Sequence, residues 1–234
     1  MEKDKVLIIG GSGGIGKDIV EILLNEGMFV INVDKKTLNI CMENYHEIIV
    51  DLSSDNADSI VRQIIYSYKK IYAFICAIGY YGVNTLSNYS RDSYYHTMAT
   101  NVEIPTFFSV EISKLMQRYN RGKMIFISSA AAYIGSRDIP YSISKAARLG
   151  LVRGLGKNLK ETNVYIYGIA PGVVESPMSE QMSVNRKAEA VNGTLNKRVC
   201  NPLEIAKVIR FLILEDDGYM NGSVIHINDG LYLN

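Results

Sequence analysis

The chain has 234 residues, of which 47% are hydrophobic and 21% are charged; this is the composition of a folded globular protein and excludes a disordered chain. At ~150 residues per domain, this length predicts one or two domains. The 25 basic and 24 acidic side chains leave a net charge of +1, which disfavours nucleic acid or an anionic membrane as a partner, because both favour a basic surface.

The cysteines, histidines and apolar runs exclude further classes. No apolar run approaches the ~18 residues that a membrane span requires. The three cysteines are widely separated, which predicts reduced thiols and a cytoplasmic location. The three histidines are isolated from the cysteines, so no metal site is expected.

Continuous apolar runs alternate with amphipathic patterns along the chain. Such runs predict strands buried on both faces, and their alternation with helices predicts a parallel sheet covered on both sides. The predicted strands are 5–10, 29–33, 47–50, 71–78, 123–128, 164–170 and 223–227. The predicted helices are 15–25, 55–69, 103–118, 141–160 and 202–215. No linker or repeat interrupts this order, so residues 1–234 are predicted to form a single domain.

A glycine-rich turn lies between the first strand and the first helix. Five of the seven residues from Gly10 to Gly16 are glycine, and this allows the backbone to turn tightly and approach a pyrophosphate. The N–H groups that open the helix would then face the negative charge. The turn therefore predicts a dinucleotide site built from Gly10, Ser12, Gly13, Gly14, Ile15 and Gly16.

The second strand is followed by Asp34, whose carboxylate can accept hydrogen bonds from an adenosine ribose and repel a 2′-phosphate. This favours NAD as the cofactor. Lys35 and Lys36 come next, and since a basic side chain there can bind that phosphate, NADP is not excluded.

Tyr141 and Lys145 are spaced i and i+4 at the start of a predicted helix, which places both on one face. A phenol has a pKa of ~10, and a neighbouring ammonium lowers that pKa and allows proton exchange with a substrate oxygen. Three pairs have this spacing, but only this one follows a strand that ends in two serines. The pairs are Tyr66/Lys70, Tyr119/Lys123 and Tyr141/Lys145.

Taken in order along nearly the whole chain, these motifs resemble the short-chain dehydrogenase/reductase family, in its compact single-domain branch. The resemblance implies an α/β fold of the Rossmann type: a doubly wound parallel sheet of about seven strands, with helices on both faces. Gly10, Gly14 and Gly16 are similar to the three glycines of the family's turn. The other matching residues are Asp51 and Leu52 for the adenine, Gly79, the catalytic set Asn101, Ser129, Tyr141 and Lys145, and Pro171, Gly172, Val174 and Ser176 at the nicotinamide end.

The chain departs from the family pattern before the glycine turn, at the end of the fourth strand, and at Ser176, which replaces the usual Thr and keeps a hydroxyl. Ile9 stands where the family usually has Thr, and Cys76 and Ala77 stand where two asparagines usually brace the sheet beside the adenosine. Gly13 occupies a position that is often basic in NADP-preferring members, which again favours NAD.

The resemblance implies reversible hydride transfer between a nicotinamide cofactor and a carbonyl or secondary alcohol. Tyr141 would be the general acid/base and Lys145 would lower its pKa and hold the nicotinamide ribose. Ser129 would bind the substrate oxygen, with Ser128 as the alternative, and Asn101 would support a proton relay. Two other classes stay open, an inactive nucleotide-binding sensor or scaffold and a non-redox epimerase or dehydratase.

Residues 79–100 and 178–201 carry no clear pattern and follow strands, at the edge where open α/β sheets bind ligands. Residues 178–201 are predicted to form a lid, polar and without aromatics, which disfavours a large steroid-like ligand; a polyol, a sugar or an acyl-carrier ketone is compatible. Tyr80, Tyr81 and Tyr133 either line the mouth of the pocket or are ordinary half-buried tyrosines. Helices 103–118 and 141–160 are expected to pair in a homodimer or homotetramer, as is usual in the family.

Overall fold

A computed structural model describes residues 3–53 and 57–233 of the chain. Seven strands form one parallel sheet, in the order β3-β2-β1-β4-β5-β6-β7. The strands are β1 (Lys5–Ile9), β2 (Phe29–Asp34), β3 (Tyr45–Ile49), β4 (Ala73–Cys76), β5 (Gly122–Ile127), β6 (Val164–Pro171) and β7 (Val224–Ile227). All seven predicted strands are present in this doubly wound arrangement.

Helices cover both faces of the sheet. They are α1 (Gly14–Asn25), α2 (Ala57–Tyr68), α3 (Arg91–Met98), α4 (Ile104–Tyr119), α5 (Ala131–Ile134), α6 (Ile139–Asn158), α7 (Pro177–Glu180), α8 (Val184–Asn192) and α9 (Pro202–Leu214). A π-helical turn, Ala99–Glu103, joins α3 to α4. All five predicted helices are present, although the predicted start of the second, residues 55 and 56, lies outside the described residues.

Alternating side chains of the strands divide the core into two layers. In β1, Leu7 and Ile9 pack in one cluster with residues of α2, α4 and α6. Val6 and Ile8 point the opposite way and pack with residues of α1 and α9. This period of two explains why the strands read as continuous apolar runs, since both faces of the sheet are buried.

The two segments without a clear pattern contain helices that the sequence did not predict. α3 is polar and buries Thr97 alone, whereas α8 buries none of its residues, so neither shows an apolar stripe. The signals that mark them are serine N-caps, Ser90 and Ser183. α6 begins two residues before the predicted start, because Asp138 caps it by accepting a hydrogen bond from Tyr141 N at 3.0 Å.

Three further properties hold within the described ranges. No helix there is both long and apolar enough to cross a bilayer. No group of three or more His, Cys, Asp or Glu side chains there could hold a metal ion. The three cysteines are free thiols, with Cys41 exposed, Cys76 buried and Cys200 half-buried.

Candidate active site

The order of the strands reverses between β1 and β4, and in open α/β sheets ligands bind at the carboxyl ends of strands at such a point. The two strands approach closely there, since a Cβ on Gly10 would lie 2.4 Å from the backbone nitrogen of Ile78. Next to the point where β1 and β4 end, a cavity of about 700 Å³ opens along the carboxyl ends of β4, β5 and β6.

The glycine turn has room for backbone but not for side chains at three positions. Gly10 has φ of +84°, a Cβ on Gly14 would meet Ser176 Cβ at 2.6 Å, and one on Gly16 would meet Gly10 O at 2.2 Å. α1 begins at Gly14 with no side-chain cap, so its first N–H groups are available to an anion. The turn therefore fits the pyrophosphate of a dinucleotide.

Asp34 is joined to the glycine turn at the end of β2. One carboxylate oxygen accepts from Ser12 N at 3.0 Å, and the other accepts from Lys36 N at 3.0 Å. The Ser12 hydroxyl donates to Lys36 O at 2.6 Å. Lys35 turns towards Asp51, with 3.5 Å between Nζ and Oδ2. A negative carboxylate thus lies at this edge of the site, and Lys35 is partly neutralised.

The capped start of α6 carries Tyr141 and Lys145 into the cavity. Lys145 is 4% exposed, and its Nζ lies 5.4 Å from the centroid of the Tyr141 ring and donates to Ile127 O at 3.2 Å. The i, i+4 spacing does place the two side chains on one face, as the sequence predicted.

Two adjacent serines at the end of β5 have different environments. Ser129 lines the cavity, and its side chain favours the phenolate form of Tyr141. Ser128 also lies in the cavity lining, but it is 3% exposed and its hydroxyl donates to the carbonyl oxygen of Lys145 at 2.7 Å. Ser129 Oγ accepts from Ala131 N at 3.1 Å, so its own proton is available to a further partner beside Tyr141.

Burial dominates the acid–base properties of this pair. It raises the pKa of the Tyr141 phenol, while the Ser129 side chain and the charge of Arg148 lower it by less. Burial, with Arg148 second, holds the pKa of Lys145 well below its usual range. In the free chain burial therefore outweighs the groups that favour the phenolate, and the lowering of the Tyr141 pKa by Lys145 stays a prediction.

Asn101 lies in the π-helical turn and is fully buried behind the cavity. Its Oδ1 accepts from Tyr80 N at 2.7 Å, and its Nδ2 donates to Tyr80 O at 2.8 Å and to Ser144 Oγ at 2.9 Å. Gly79 immediately precedes Tyr80 in the chain, and a Cβ on Gly79 would lie 3.4 Å from Lys145 Nζ. Asn101 thus holds the segment that packs against the lysine.

The cavity brings together a part of the residues predicted from the sequence. Those that line it are Ile15, Gly79, Ser129, Tyr141, Lys145, Pro171, Gly172, Val174 and Ser176. The rest of the glycine turn, together with Asp34, Asp51 and the buried Leu52, lies outside this lining, and Asn101 lies behind it.

Of the three tyrosines considered for the mouth, Tyr81 lines the cavity, and its ring lies edge-on to Tyr141 with 5.1 Å between centroids. Tyr80 packs instead on His96, and Tyr133 stacks on Tyr232. Sequence reasoning gave no role to two arginines, Arg148 behind the cavity and Arg186 within it. A charged residue three positions after Lys145, on a helix otherwise rich in small and apolar residues, was the available signal for Arg148.

Comparisons with known proteins identify the family and the fold. A sequence model of a family described as short chain dehydrogenase matches residues 4–187. The chain is 26% identical to the 3-oxoacyl-(acyl-carrier-protein) reductase of Buchnera aphidicola subsp. Schizaphis graminum, covering 100% of this chain and 99% of that protein. It is 28% identical to a tropinone reductase homolog of Arabidopsis thaliana, covering 97% and 93%. The solved structure of ElxO with NADP bound superposes with a TM-score of 0.88 at 22% identity, covering 98% and 99% of the two chains.

Proposed function

The chain belongs to the short-chain dehydrogenase family and is an oxidoreductase, and on that premise we propose that it transfers a hydride reversibly between NAD and a small carbonyl compound or secondary alcohol. The carrying observation is that Ser129, Tyr141 and Lys145 line one cavity with Ile15 of the helix that follows the glycine turn. A hydroxyl, a phenol and an amine converge there on the space where a reacting oxygen would lie.

Each residue has a defined task in this proposal. The nicotinamide ring, when bound, takes up or supplies the hydride. Ser129 donates a hydrogen bond to the substrate oxygen. In reduction the Tyr141 phenol gives its proton to that oxygen as the carbon gains the hydride, and in oxidation the phenolate takes the hydroxyl proton back. Lys145 holds the ribose at this end, and Asn101 keeps Gly79 and Tyr80 in place behind it.

The proposed preference for NAD rests on the residues at the end of β2, which would face the ribose of the adenosine. The carboxylate of Asp34 is fixed by Ser12 N and Lys36 N, so its remaining lone pairs are available to ribose hydroxyls and would repel a 2′-phosphate. Lys35 is drawn to Asp51, and Gly13 offers no basic side chain. ElxO, the structural neighbour described above, binds NADP, so the choice between the two cofactors needs a direct comparison.

The substrate end of the cavity carries an arginine that supports a substrate with an anionic group. Arg186 of α8 donates to Ser136 Oγ at 2.6 Å, and its guanidinium lies 5.4 Å from the centroid of the Tyr81 ring. Within the described residues no carboxylate pairs with Arg186, whereas the neighbouring Arg137 pairs with Glu189 at 3.1 Å. Among the substrate classes that the sequence leaves open, an acyl-carrier ketone fits this charge and is also the substrate named for the Buchnera relative.

The segment 178–201 is proposed to act as a lid over this end. Met178, Met182 and Arg186 line the cavity from the segment that contains α7 and α8. Its far end is tied to the C-terminal region, where Leu195 N donates to Asp229 O at 2.9 Å. A segment fastened at that end and lining the pocket along its length is suited to open and close over a substrate.

Pairing of two copies through α4 and α6 is part of the proposal. Both helices expose apolar side chains, with Phe107 42% and Ile143 45% exposed. Gly150 and Gly154 on α6 leave open space where a Cβ would stand, which permits close approach of a second helix. Sedimentation of wild type as a dimer or tetramer, and of an Ile143→Asp variant as a monomer, is expected; a monomeric wild type would contradict the pairing.

The activity itself is tested by following the absorbance of NADH and NADPH with a panel of carbonyl compounds. Turnover with NADH that is lost in Tyr141→Phe is the expected result. Nucleotide binding without turnover on any compound would favour the sensor or scaffold. A product epimerised or dehydrated with no net change in NADH would favour the non-redox relative.

A further inference from the structure

Arg148 is the largest fully buried side chain of the described residues, at 1% exposure. It follows Lys145 by three positions on α6, so both side chains lie on the same face of the helix, towards the sheet. No described carboxylate pairs with it. A buried guanidinium is tolerated only when its donors find acceptors, so the partners of Arg148 define what it is there to hold.

Three backbone carbonyls from three different elements accept hydrogen bonds from the guanidinium. Nη1 donates to Ile127 O at 2.6 Å, at the end of β5. Nη2 donates to Ile78 O at 2.5 Å, just after β4. Nε donates to Asn101 O at 3.2 Å, in the π-helical turn. These bonds are charge-assisted and stronger than neutral ones, and together they connect two strand ends and a helix start.

Two of these carbonyls lie where regular strand pairing ends, and the third lies four residues before a proline. In an α-helix the carbonyl of Asn101 would accept from residue 105, which is a proline and has no N–H. The ladder between β4 and β5 ends at the pair Cys76–Phe126, so the carbonyls of Ile78 and Ile127 lie beyond it. Arg148 supplies hydrogen-bond donors to these three carbonyls, where the regular pairing of strands and helix ends.

The same carbonyl groups adjoin the parts of the candidate active site. Ile127 O also accepts from Lys145 Nζ at 3.2 Å. The peptide of Ile78 packs directly against Gly10 of the glycine turn. Asn101 holds Tyr80 through its side chain. Displacing the guanidinium would therefore move the catalytic lysine, the glycine turn and the asparagine together.

Cys76 is the last residue of β4 and Ala77 is the next residue, and neither side chain can donate the hydrogen bonds of an asparagine.

We propose that Arg148 is a positioning residue, a clamp on three carbonyls. It fixes the relative positions of the β4 end, the β5 end and the π-helical turn. It thereby preorganises the glycine turn that would bind the dinucleotide, together with the Tyr141–Lys145 pair. The role in turnover rests on the proposed function, whereas the role in shaping the glycine turn stands in the free protein.

The test compares four proteins: wild type, Arg148→Met, Arg148→Lys and the control Arg153→Met, which removes an exposed arginine from the same helix. A fifth combines Arg148→Leu with Cys76→Asn and Ala77→Asn, which returns donors to the end of β4. The measurements are the dissociation constant for NADH by fluorescence titration, KM and kcat, the thermal midpoint, and amide hydrogen exchange of Gly79 and Tyr80 without nucleotide.

We expect Arg148→Met to weaken NADH binding about tenfold or more and to lower kcat/KM on the order of 10²-fold, since displacement of ~1 Å suffices for that loss. Exchange at Gly79 and Tyr80 should be faster in the free variant. Arg148→Lys should be intermediate, the asparagine variant should recover most of the binding, and Arg153→Met should match wild type.

A folded Arg148→Met with the nucleotide affinity and exchange rates of wild type overturns the clamp. If Arg148→Met does not fold, Arg148→Lys and the asparagine variant decide: a folded asparagine variant without recovered binding also overturns it. A wild-type protein that binds NADH but turns over no substrate contradicts the proposed function alone, because the binding and exchange measurements still test the clamp.

Discussion

The hydroxyl of Ser128 donates a 2.7 Å hydrogen bond to the backbone carbonyl of Lys145, which fastens the end of β5 to the helix that carries the catalytic candidates. Because the Ser128 hydroxyl donates its proton in that bond, we assign Ser128 a structural role. The next residue, Ser129, is left to face Tyr141 in the cavity. Two neighbouring serines that the sequence could not fully separate therefore have different expected effects on substitution.

Ser129→Ala is expected to lower kcat by about 10²-fold or more, because a preorganised donor to the substrate oxygen is removed. NADH affinity and the thermal midpoint should stay close to wild type. Ser128→Ala is its matched control: it should reduce the free energy of unfolding by about 1–2 kcal/mol, since a buried carbonyl loses its donor, with a smaller loss of kcat. The reverse pattern in kinetics and melting would assign the catalytic role to Ser128.

Tyr141→Phe should reduce kcat by at least 10²–10⁴-fold, since the proton at the substrate oxygen loses its donor and acceptor. NADH should still bind, as measured by fluorescence titration. Tyr66→Phe is the matched control, because Tyr66 also precedes a lysine by four positions but is 84% exposed on α2. Substantial turnover by Tyr141→Phe would remove this tyrosine from the mechanism.

The rate of reduction should be nearly flat between about pH 6 and pH 9. Burial raises the pKa of Tyr141 above its usual value, so the phenol that donates the proton stays protonated across this range. Oxidation needs the phenolate, so its rate should rise with pH over the same interval. Profiles of kcat/KM in both directions check the sign, and a fall of the reductive rate near pH 7 would show that another group controls the proton.

Asp34→Asn should narrow the preference for NADH over NADPH by about tenfold, because the amide can still accept hydrogen bonds but no longer repels a 2′-phosphate. The ratio of kcat/KM for the two cofactors measures this. Asp217→Asn removes the same charge beside Lys123, at the amino end of β5 and so at the opposite edge of the sheet, and should leave the ratio unchanged. An unchanged ratio in Asp34→Asn, or a wild type that prefers NADPH, would count against the role of Asp34.

Arg186→Gln should raise KM for substrates that carry a carboxylate or phosphate about tenfold, and change KM for neutral carbonyl compounds little. No carboxylate among the described residues forms an ion pair with this guanidinium, which lies beside Tyr81 in the cavity. It can therefore attract an anionic group of a substrate. Arg62→Gln on the surface of α2 serves as the control. Equal effects on charged and neutral substrates would show that Arg186 shapes the lid without selecting charge.

Most of the fold could be predicted from the sequence, because the signals are local or periodic. Runs such as the one through Val6 and Ile9 indicate strands buried on both faces, and helix stripes repeat with their own period. α3 and α8 could not be found in this way, since they bury almost nothing. What marks them is a serine side chain that caps the first turn of each helix, Ser90 for α3 and Ser183 for α8.

The features of the candidate site also fall into two groups, those that the sequence determined and those that the tertiary structure decided. By itself the sequence determined the glycine turn after β1, the carboxylate after β2 and the i, i+4 pair on α6, because each depends on residue type and spacing within a few positions. Only the tertiary structure decided which serine meets Tyr141, that the pKa of Tyr141 rises, and that Arg148 joins Ile78, Asn101 and Ile127. Those outcomes depend on burial and on partners up to 70 positions away along the chain, which no local pattern records.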